Sequence, residues 1–372
     1  MATKICELCL SPDLGGLELY MMRASRYLAD EGDECISVIN EKGKLKSYYE
    51  NTPYRYFTLK RRKVLFSWLS ARTLARIIDE EAIDILHLHW TKDIPVAVMA
   101  KLLSKRKPKV VQSRHMTMTR FKDDLYHRFL YKNVDLMLAV THQVKRQIEK
   151  FIPAEIRPAT EVLYIGAEQP AIIGTEERKK RREEWGLADS FTVGIVGRIE
   201  PQKGQYLVID ATEKLIHQGI DACALIVGHP MSEEYLQLLK KDVAMRGLTD
   251  RVLFTGFTRE AQVIMQLCDV VVLATENETF GLVLIEAMMC GVCVCASDSG
   301  GPLEIIDEGV NGVLFKTFNS DDLADKLATL YRTEGLREYY AAEGKKKALA
   351  VFESEKQFKA LKEALENVCA SV

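Results

Sequence analysis

Two glutamates, Glu278 and Glu286, stand eight positions apart in "ENETFGLVLIEAMMCG", residues 276–291, on either side of a Thr-Phe-Gly turn. Such a pair could be an acid–base dyad or two separate contacts on one ligand. The strand-like run "DVVVLAT" before it and the helical spacing after Gly281 predict Glu278 just before a helix and Glu286 inside it. Eight helical steps rise ~12 Å, whereas a retaining glycosidase holds its carboxylates ~5–5.5 Å apart. The spacing therefore argues against a paired-carboxylate hydrolase. The amides of Thr279, Phe280 and Gly281 are expected at the helix start, where free N–H groups and the helix dipole favour an anion.

A second group of residues suits the same anion. In "FTVGIVGRIEPQKGQ", residues 191–205, an apolar strand is expected to end at Gly197, and Arg198 and Lys203 flank a turn closed by Gly204. Two cations beyond the carboxyl end of a strand fit a diphosphate. With the glutamates, they fit a sugar nucleotide: one carboxylate for sugar hydroxyls, the other for ribose, and phosphates between. Near the amino terminus, Gly15 and Gly16 follow an apolar strand and precede a helix, a turn that lets backbone approach a ligand closely. No G-x-G-x-x-G or G-x-x-x-x-G-K-[ST] occurs, which removes the main support for NAD-type or P-loop binding.

The elements that must hold these turns are legible as short apolar runs alternating with helical patterns. "KICELCLS", "ECISVIN", "IDILHLH", "KVVQSR" and "DLMLAVT" are strand candidates in the first half, and "FTVGIVG", "CALIVG", "RVLFTG", "DVVVLAT" and "VCVCAS" in the second. Runs apolar on both faces and separated by helices indicate parallel strands buried between helix layers. The pattern occurs twice, so the expected fold is α/β: two Rossmann-like doubly wound domains facing a cleft, with ligands beyond the carboxyl ends of the strands. The expected division is 1–170, 171–352 and a terminal helix, 353–372, docking back on the first domain. A length of 372 residues suits two cores. The charged stretch "TEERKKRREEWGLAD" reads as a solvated linking helix.

Composition narrows the class further. An apolar fraction of 47% with 28% charged residues is ordinary for a globular protein. No run approaches the roughly 20 apolar residues of a membrane helix, and no signal-peptide core is visible, so a cytoplasmic or peripheral protein is expected. The pairs Cys6/Cys9 and Cys290/Cys293 lie in strand-like runs and read as small core thiols rather than a metal site. The net charge of −2 divides into 28 Lys/Arg against 21 Asp/Glu over 1–170, or +7, and 23 against 32 beyond, or −9. The basic runs "KRRK" at 60–63 and "KRKPK" at 105–109 suggest contact with an anionic partner or membrane surface. No nucleic-acid motif is present.

Taken in order, the Gly15–Gly16 turn, "GRIEPQKG", "ETFGLVLIE" and "SGGPLEIIDEGVNGVLF" resemble the retaining GT-B glycosyltransferases of family 4. The resemblance covers nearly the whole chain, with Gly300, Gly301, Glu304 and Gly312 in family positions. It implies that Arg198 and Lys203 hold the donor diphosphate, that Glu278 contacts the transferred sugar and Glu286 the ribose, and that the amides from Thr279 to Gly281 bind sugar and phosphate oxygens. His115, in "VVQSRHMTM", resembles the family histidine that approaches the donor sugar. His89, ending "LHLHW", is suggestive, but reads equally as a satisfied strand-end histidine. Ile165 stands where the family often has Asn, and carries no role. Backbone near His229 and Gly256 is expected to read the base.

The implied activity is metal-independent, retaining transfer of a hexose-type sugar from a UDP- or GDP-sugar to a glycan or glycolipid acceptor in envelope polysaccharide or lipopolysaccharide synthesis. No cofactor is expected, and the absence of Asp-x-Asp agrees with cations replacing a metal. The alternatives are a sugar-nucleotide 2-epimerase, a phosphorylase, or a non-catalytic sugar-nucleotide or glycan binder.

Overall fold

The computed structural model describes residues 3–60 and 67–370. The chain forms two compact units: residues 1–165 with 355–372, and residues 166–354. Each is a parallel sheet between helices.

In the first unit the strands are β1 (Lys4–Cys9), β2 (Glu34–Asn40), β3 (Tyr56–Leu59), β4 (Ile85–Leu88), β5 (Lys109–Arg114), β6 (Leu136–Ala139) and β7 (Ala159–Val162). They are ordered β3-β2-β1-β4-β5-β6-β7, so the strand order reverses between β1 and β4. In the second unit they are β8 (Phe191–Val196), β9 (Ala222–Val227), β10 (Val252–Gly256), β11 (Val270–Leu273), β12 (Cys293–Ser297) and β13 (Val313–Phe315). Their order is β10-β9-β8-β11-β12-β13, reversing between β8 and β11. These reversals are where doubly wound sheets open a crevice for a ligand at their carboxyl edge.

Central strands such as β4, β9 and β11 are buried at every residue, as their two-sided apolar runs require. Three strands were not expected: β3, β7 and β13. All three lie at sheet edges. β3 and β7 are half exposed, and β13 is only three residues long, so none carries a long double-sided apolar run.

The terminal helix Ser354–Ala370 lays Phe358, Leu361, Ala364 and Leu365 against Ile5, Tyr20, Leu28, Ile85 and Val111. The spacing of Phe358, Leu361 and Leu365 makes one apolar stripe, which closes a sheet face of the first unit.

The charged helix Thr175–Glu184 is mostly exposed, as expected, but two of its arginines turn inward. Arg182 is buried, donating to the carbonyls of Ala188, Ser190 and Leu267 and pairing with Asp269. Arg178 donates to the Gln266 carbonyl at 2.7 Å. Guanidinium is the one cation whose planar fork satisfies several carbonyls at once, so a helix with almost no apolar residues is still pinned to the second unit.

The basic run 105–109 is partly paired locally. The amides of Lys105 and Arg106 donate to Asp79, Arg106 pairs with Asp84, and Lys109 lies 3.8 Å from Asp135. In the run 60–63 only Lys60 falls within the described residues. Among those residues no helix is long and apolar enough to cross a membrane. All nine cysteines are free thiols, and burial holds Cys268, Cys290 and Cys293 up to about 12, so these three are not thiolate nucleophiles.

Candidate active site

In the second unit, three adjacent strands end in glycine. Gly197, Gly228 and Gly256 follow or close β8, β9 and β10 with φ of 152°, 151° and 71°. A Cβ on Gly228 would stand 1.7 Å from the Gly197 carbonyl oxygen, so the ends of β8 and β9 approach more closely than any side chain permits. The result is a carboxyl edge lined by backbone. The amide of Ile199 donates to the exposed His229's carbonyl at 2.9 Å, and that of Gly228 to Gly256 at 3.1 Å.

β8 runs into a single 3-10 turn, Pro201–Lys203, closed by Gly204 at φ 73°. A Cβ on Gly204 would meet the Ala274 carbonyl at 2.6 Å, so this turn is pressed against the end of β11. Buried Gln205 donates to the Arg198 carbonyl at 2.9 Å and fixes the backbone between the two cations. The Lys203 ammonium then donates to Glu278 Oε2 at 2.9 Å, with both side chains about three-quarters covered. Lys203 and Glu278, assigned separately to phosphate and sugar, are thus in direct contact. Arg198 is more exposed and pairs with Glu200 at 3.1 Å.

The loop that carries Glu278 connects β11 to the helix Leu282–Met289, which opens at Gly281 (φ 104°, ψ 43°) with no side chain capping it. Glu286 lies in the second turn of that helix, half-buried between buried Ile285 and Ala287. Phe280, whose amide was grouped with its neighbours as a donor contact, has a buried side chain set edge-on to Phe352 at 6.0 Å. Its ring anchors the loop. On the other side the loop is held by Gly300 and Gly301: the Gly301 amide donates to the Glu278 carbonyl at 2.8 Å. The glycines of "SGGP" are therefore supports for the loop that carries Glu278.

In the first unit, Gly15 precedes the helix Gly16–Asp30, and the Glu18 carboxylate accepts from its amide at 2.8 Å. A Cβ on Gly16 would meet nothing within 4 Å, so space at this turn is open. Across the order reversal, β4 ends at Leu88, just before His89, and β5 at Arg114, just before His115. His89 is a fully buried member of a cluster with Glu7 and His87. Glu7 on β1 is in register with His87 on β4, and His87 and His89, two apart, share a face. Glu7 accepts from His87 Nδ1 at 2.9 Å and from His89 Nε2, while His87 Nε2 meets Ser113 Oγ at 2.9 Å. Glu7 and the two histidines have metal-ligand chemistry, with donor atoms within 4.8 Å of one another, but hydrogen bonds to one another already join those atoms.

Sequence reasoning missed Glu7 and His87. Their signal was a lone carboxylate inside an apolar strand and a His-x-His at strand period.

Charge follows from this packing. Burial favours the neutral acid of Glu7, but the two imidazoles and their hydrogen bonds outweigh it and hold the carboxyl low. Burial, helped by His87, lowers His89 to about 4. Burial also takes His115 well below its usual value, with His89, His87 and Arg114 adding to the effect. These groups resist protonation when folded and accept it when unfolded, so stability is lost as pH falls. For His89 the window runs from the ordinary imidazole value of 6.5 down to about 4, with Glu7 adding the same sign at lower pH. Thermal melts are expected to weaken across that window, and His89→Gln should flatten the slope.

Comparison with known proteins bears on the family and the fold. The Glycosyl transferases group 1 family matches residues 177–347, and the Glycosyl transferase 4-like family matches residues 7–144. N-acetyl-alpha-D-glucosaminyl L-malate synthase of Bacillus anthracis is 26% identical over 96% of this chain and 94% of its own. The lipopolysaccharide core biosynthesis mannosyltransferase LpcC of Rhizobium leguminosarum bv. viciae is 27% identical over 68% of this chain and 66% of its own. Among solved structures, Anabaena HepE in complex with UDP superposes with a TM-score of 0.88 over 98% of this chain and 100% of that one, at 24% identity. Two parallel Rossmann-like sheets, each with an order reversal, and family matches on both units make the chain a group 1 glycosyltransferase of the GT-B fold.

Proposed function

We propose that the chain transfers a hexose-type sugar from a nucleotide-sugar donor to an acceptor hydroxyl, with retention at the anomeric carbon and without a metal ion. The Lys203–Glu278 contact beside an uncapped helix start carries this reading. It puts a cation, suited to a departing diphosphate, beside a carboxylate, suited to sugar hydroxyls. In this scheme the bond from the anomeric carbon to the phosphate oxygen breaks, and its electron pair stays on the diphosphate. Lys203, Arg198 and the amides of Thr279 and Gly281 stabilise that charge as it forms, which lowers the barrier more than it tightens donor binding. The acceptor oxygen bonds the same face of the sugar, and its proton passes to the leaving phosphate. Glu278 orients the sugar, Glu286 accepts from the ribose, and His115 accepts from a sugar hydroxyl. The UDP bound to HepE supports a nucleotide donor.

The acceptor we propose is a glycan or glycolipid of envelope polysaccharide or lipopolysaccharide synthesis, as the name of LpcC suggests. A second reading, a small anionic acceptor, is favoured by the malate glycoside named in the full-length relative. Peripheral contact with an anionic membrane would rest on the run 60–63 and on Lys105 and Lys107, because Arg106 and Lys109 are paired within their own unit.

A thermal-shift panel of UDP-, GDP- and ADP-sugars is the direct test, since a ligand at 100 times its Kd adds about 2.7 kcal/mol. One sugar nucleotide should raise Tm, and transfer should survive EDTA. A flat panel, or transfer abolished by EDTA and restored by a divalent cation, would overturn the reading.

A further inference from the structure

The buried cluster around Glu7 does not end at His89. His115 Nε2 lies 3.5 Å from His89 Nδ1, at the long end of hydrogen bonding, and the two rings stack at 5.7 Å between centroids. The other ring nitrogen, His115 Nδ1, is buried and has no hydrogen-bond partner among the described residues. A buried, unpartnered nitrogen at the carboxyl edge of a sheet marks a place where a ligand atom belongs.

The protons along this chain can be assigned in order. An ionised carboxylate only accepts, so Glu7 takes N–H bonds from His87 Nδ1 and His89 Nε2. A neutral His89 with its proton on Nε2 leaves Nδ1 as a lone pair. That lone pair takes the N–H of His115 Nε2, so a neutral His115 keeps Nδ1 bare. The rings are also held mechanically: Tyr20 stands edge-on to His115 at 4.9 Å and is itself backed by Phe358 of the terminal helix at 5.5 Å. Arg114, tied to Thr91 Oγ1 at 2.9 Å and to the carbonyls of Met116 and Thr117 at 2.8 Å each, fixes the turn that follows His115.

We infer that Glu7 and His89 are positioning residues for the transfer: they lock His115 in the Nε2–H tautomer, so that Nδ1 accepts a hydrogen bond from a hydroxyl of the transferred sugar. A carboxylate that accepts from two histidines decides, two rings away, whether the sugar meets an acceptor or a donor. The functional half rests on the role proposed above for His115; the tautomer does not.

The experiment uses the full chain with ¹⁵N-labelled histidine, reading tautomers from two-bond couplings and assigning His115 by its loss in His115→Phe. Wild type should show His115 protonated on Nε2. Two variants divide the chain. His89→Gln reaches Glu7 but places nothing against His115; His89→Asn keeps a carbonyl oxygen where Nδ1 stood, able to accept from His115. His89→Gln should release the tautomer and lower kcat about tenfold, roughly the worth of one hydrogen bond, with donor KM unchanged. His89→Asn should keep the tautomer and most of the kcat. A wild-type His115 protonated on Nδ1, or a His89→Gln protein with its tautomer intact, would overturn the chain. A released tautomer with undiminished turnover would support the chain and overturn the contact between His115 and the sugar.

Discussion

Lys203→Ala is expected to lower kcat by about 10²–10³ while leaving Tm within a degree or two of wild type. The two halves of that expectation come from the same contact. As a structural ion pair, Lys203 and Glu278 contribute modestly: each keeps about a fifth to a quarter of its exposure, so a Glu278 carboxylate left alone is still reached by water, and the loss is on the order of 1 kcal/mol. In the proposed transfer they are worth far more, because the diphosphate gains charge only as the sugar leaves, and a fixed cation costs no reorganisation at that moment. Arg198 does not substitute for the lost ammonium, since it is 60% exposed and already turned to Glu200. Donor KM should change less than kcat. Steady-state kinetics beside a thermal melt checks both. If kcat fell no more than threefold, the diphosphate would be stabilised elsewhere and the assignment would be wrong.

Much of this site was legible because its residues sit in turns that follow apolar strands. Arg198, Lys203 and Glu278 could be placed by finding where β8 and β11 end, and their turn chemistry is local. What stayed hidden was whatever depends on pairing between distant segments. Glu7 and His87 are 80 residues apart and meet only because β1 and β4 are neighbours in register. From the sequence, Glu7 is simply a charge that interrupts an apolar run. The same reason hid Arg182, whose buried fork finds the Leu267 carbonyl 85 residues away, and left it looking like one more solvated charge. The edge strands β3, β7 and β13 were lost for a different reason: an edge needs little apolar sequence to exist. The direct Lys203–Glu278 contact also escaped, since spacing separates functions along a chain and does not report what folds together.

Gly301→Ala should then abolish most activity without removing any side chain proposed to meet the donor. Gly301 has ordinary helical angles, φ −58° and ψ −37°, so alanine costs its backbone nothing. The methyl carbon, however, would stand 2.2 Å from the Phe280 carbonyl oxygen and 2.4 Å from its Cα. Phe280 cannot yield freely, because its ring is buried against Phe352. The loop must move as a unit and carry Glu278 with it, since the Gly301 amide holds the Glu278 carbonyl. Overpacking of this kind costs about 1–3 kcal/mol, and a reacting group displaced by ~1 Å loses about 10²-fold in rate. Gly247→Ala separates strain from displacement. Its φ of 70° makes alanine unfavourable, by about 1–2 kcal/mol, but a Cβ there meets nothing within 4 Å. That variant should lose stability of the same order and keep wild-type kcat, whereas Gly301→Ala should lose both. Equal kcat in the two variants would mean that the packing of the 278–281 loop does not set the position of Glu278.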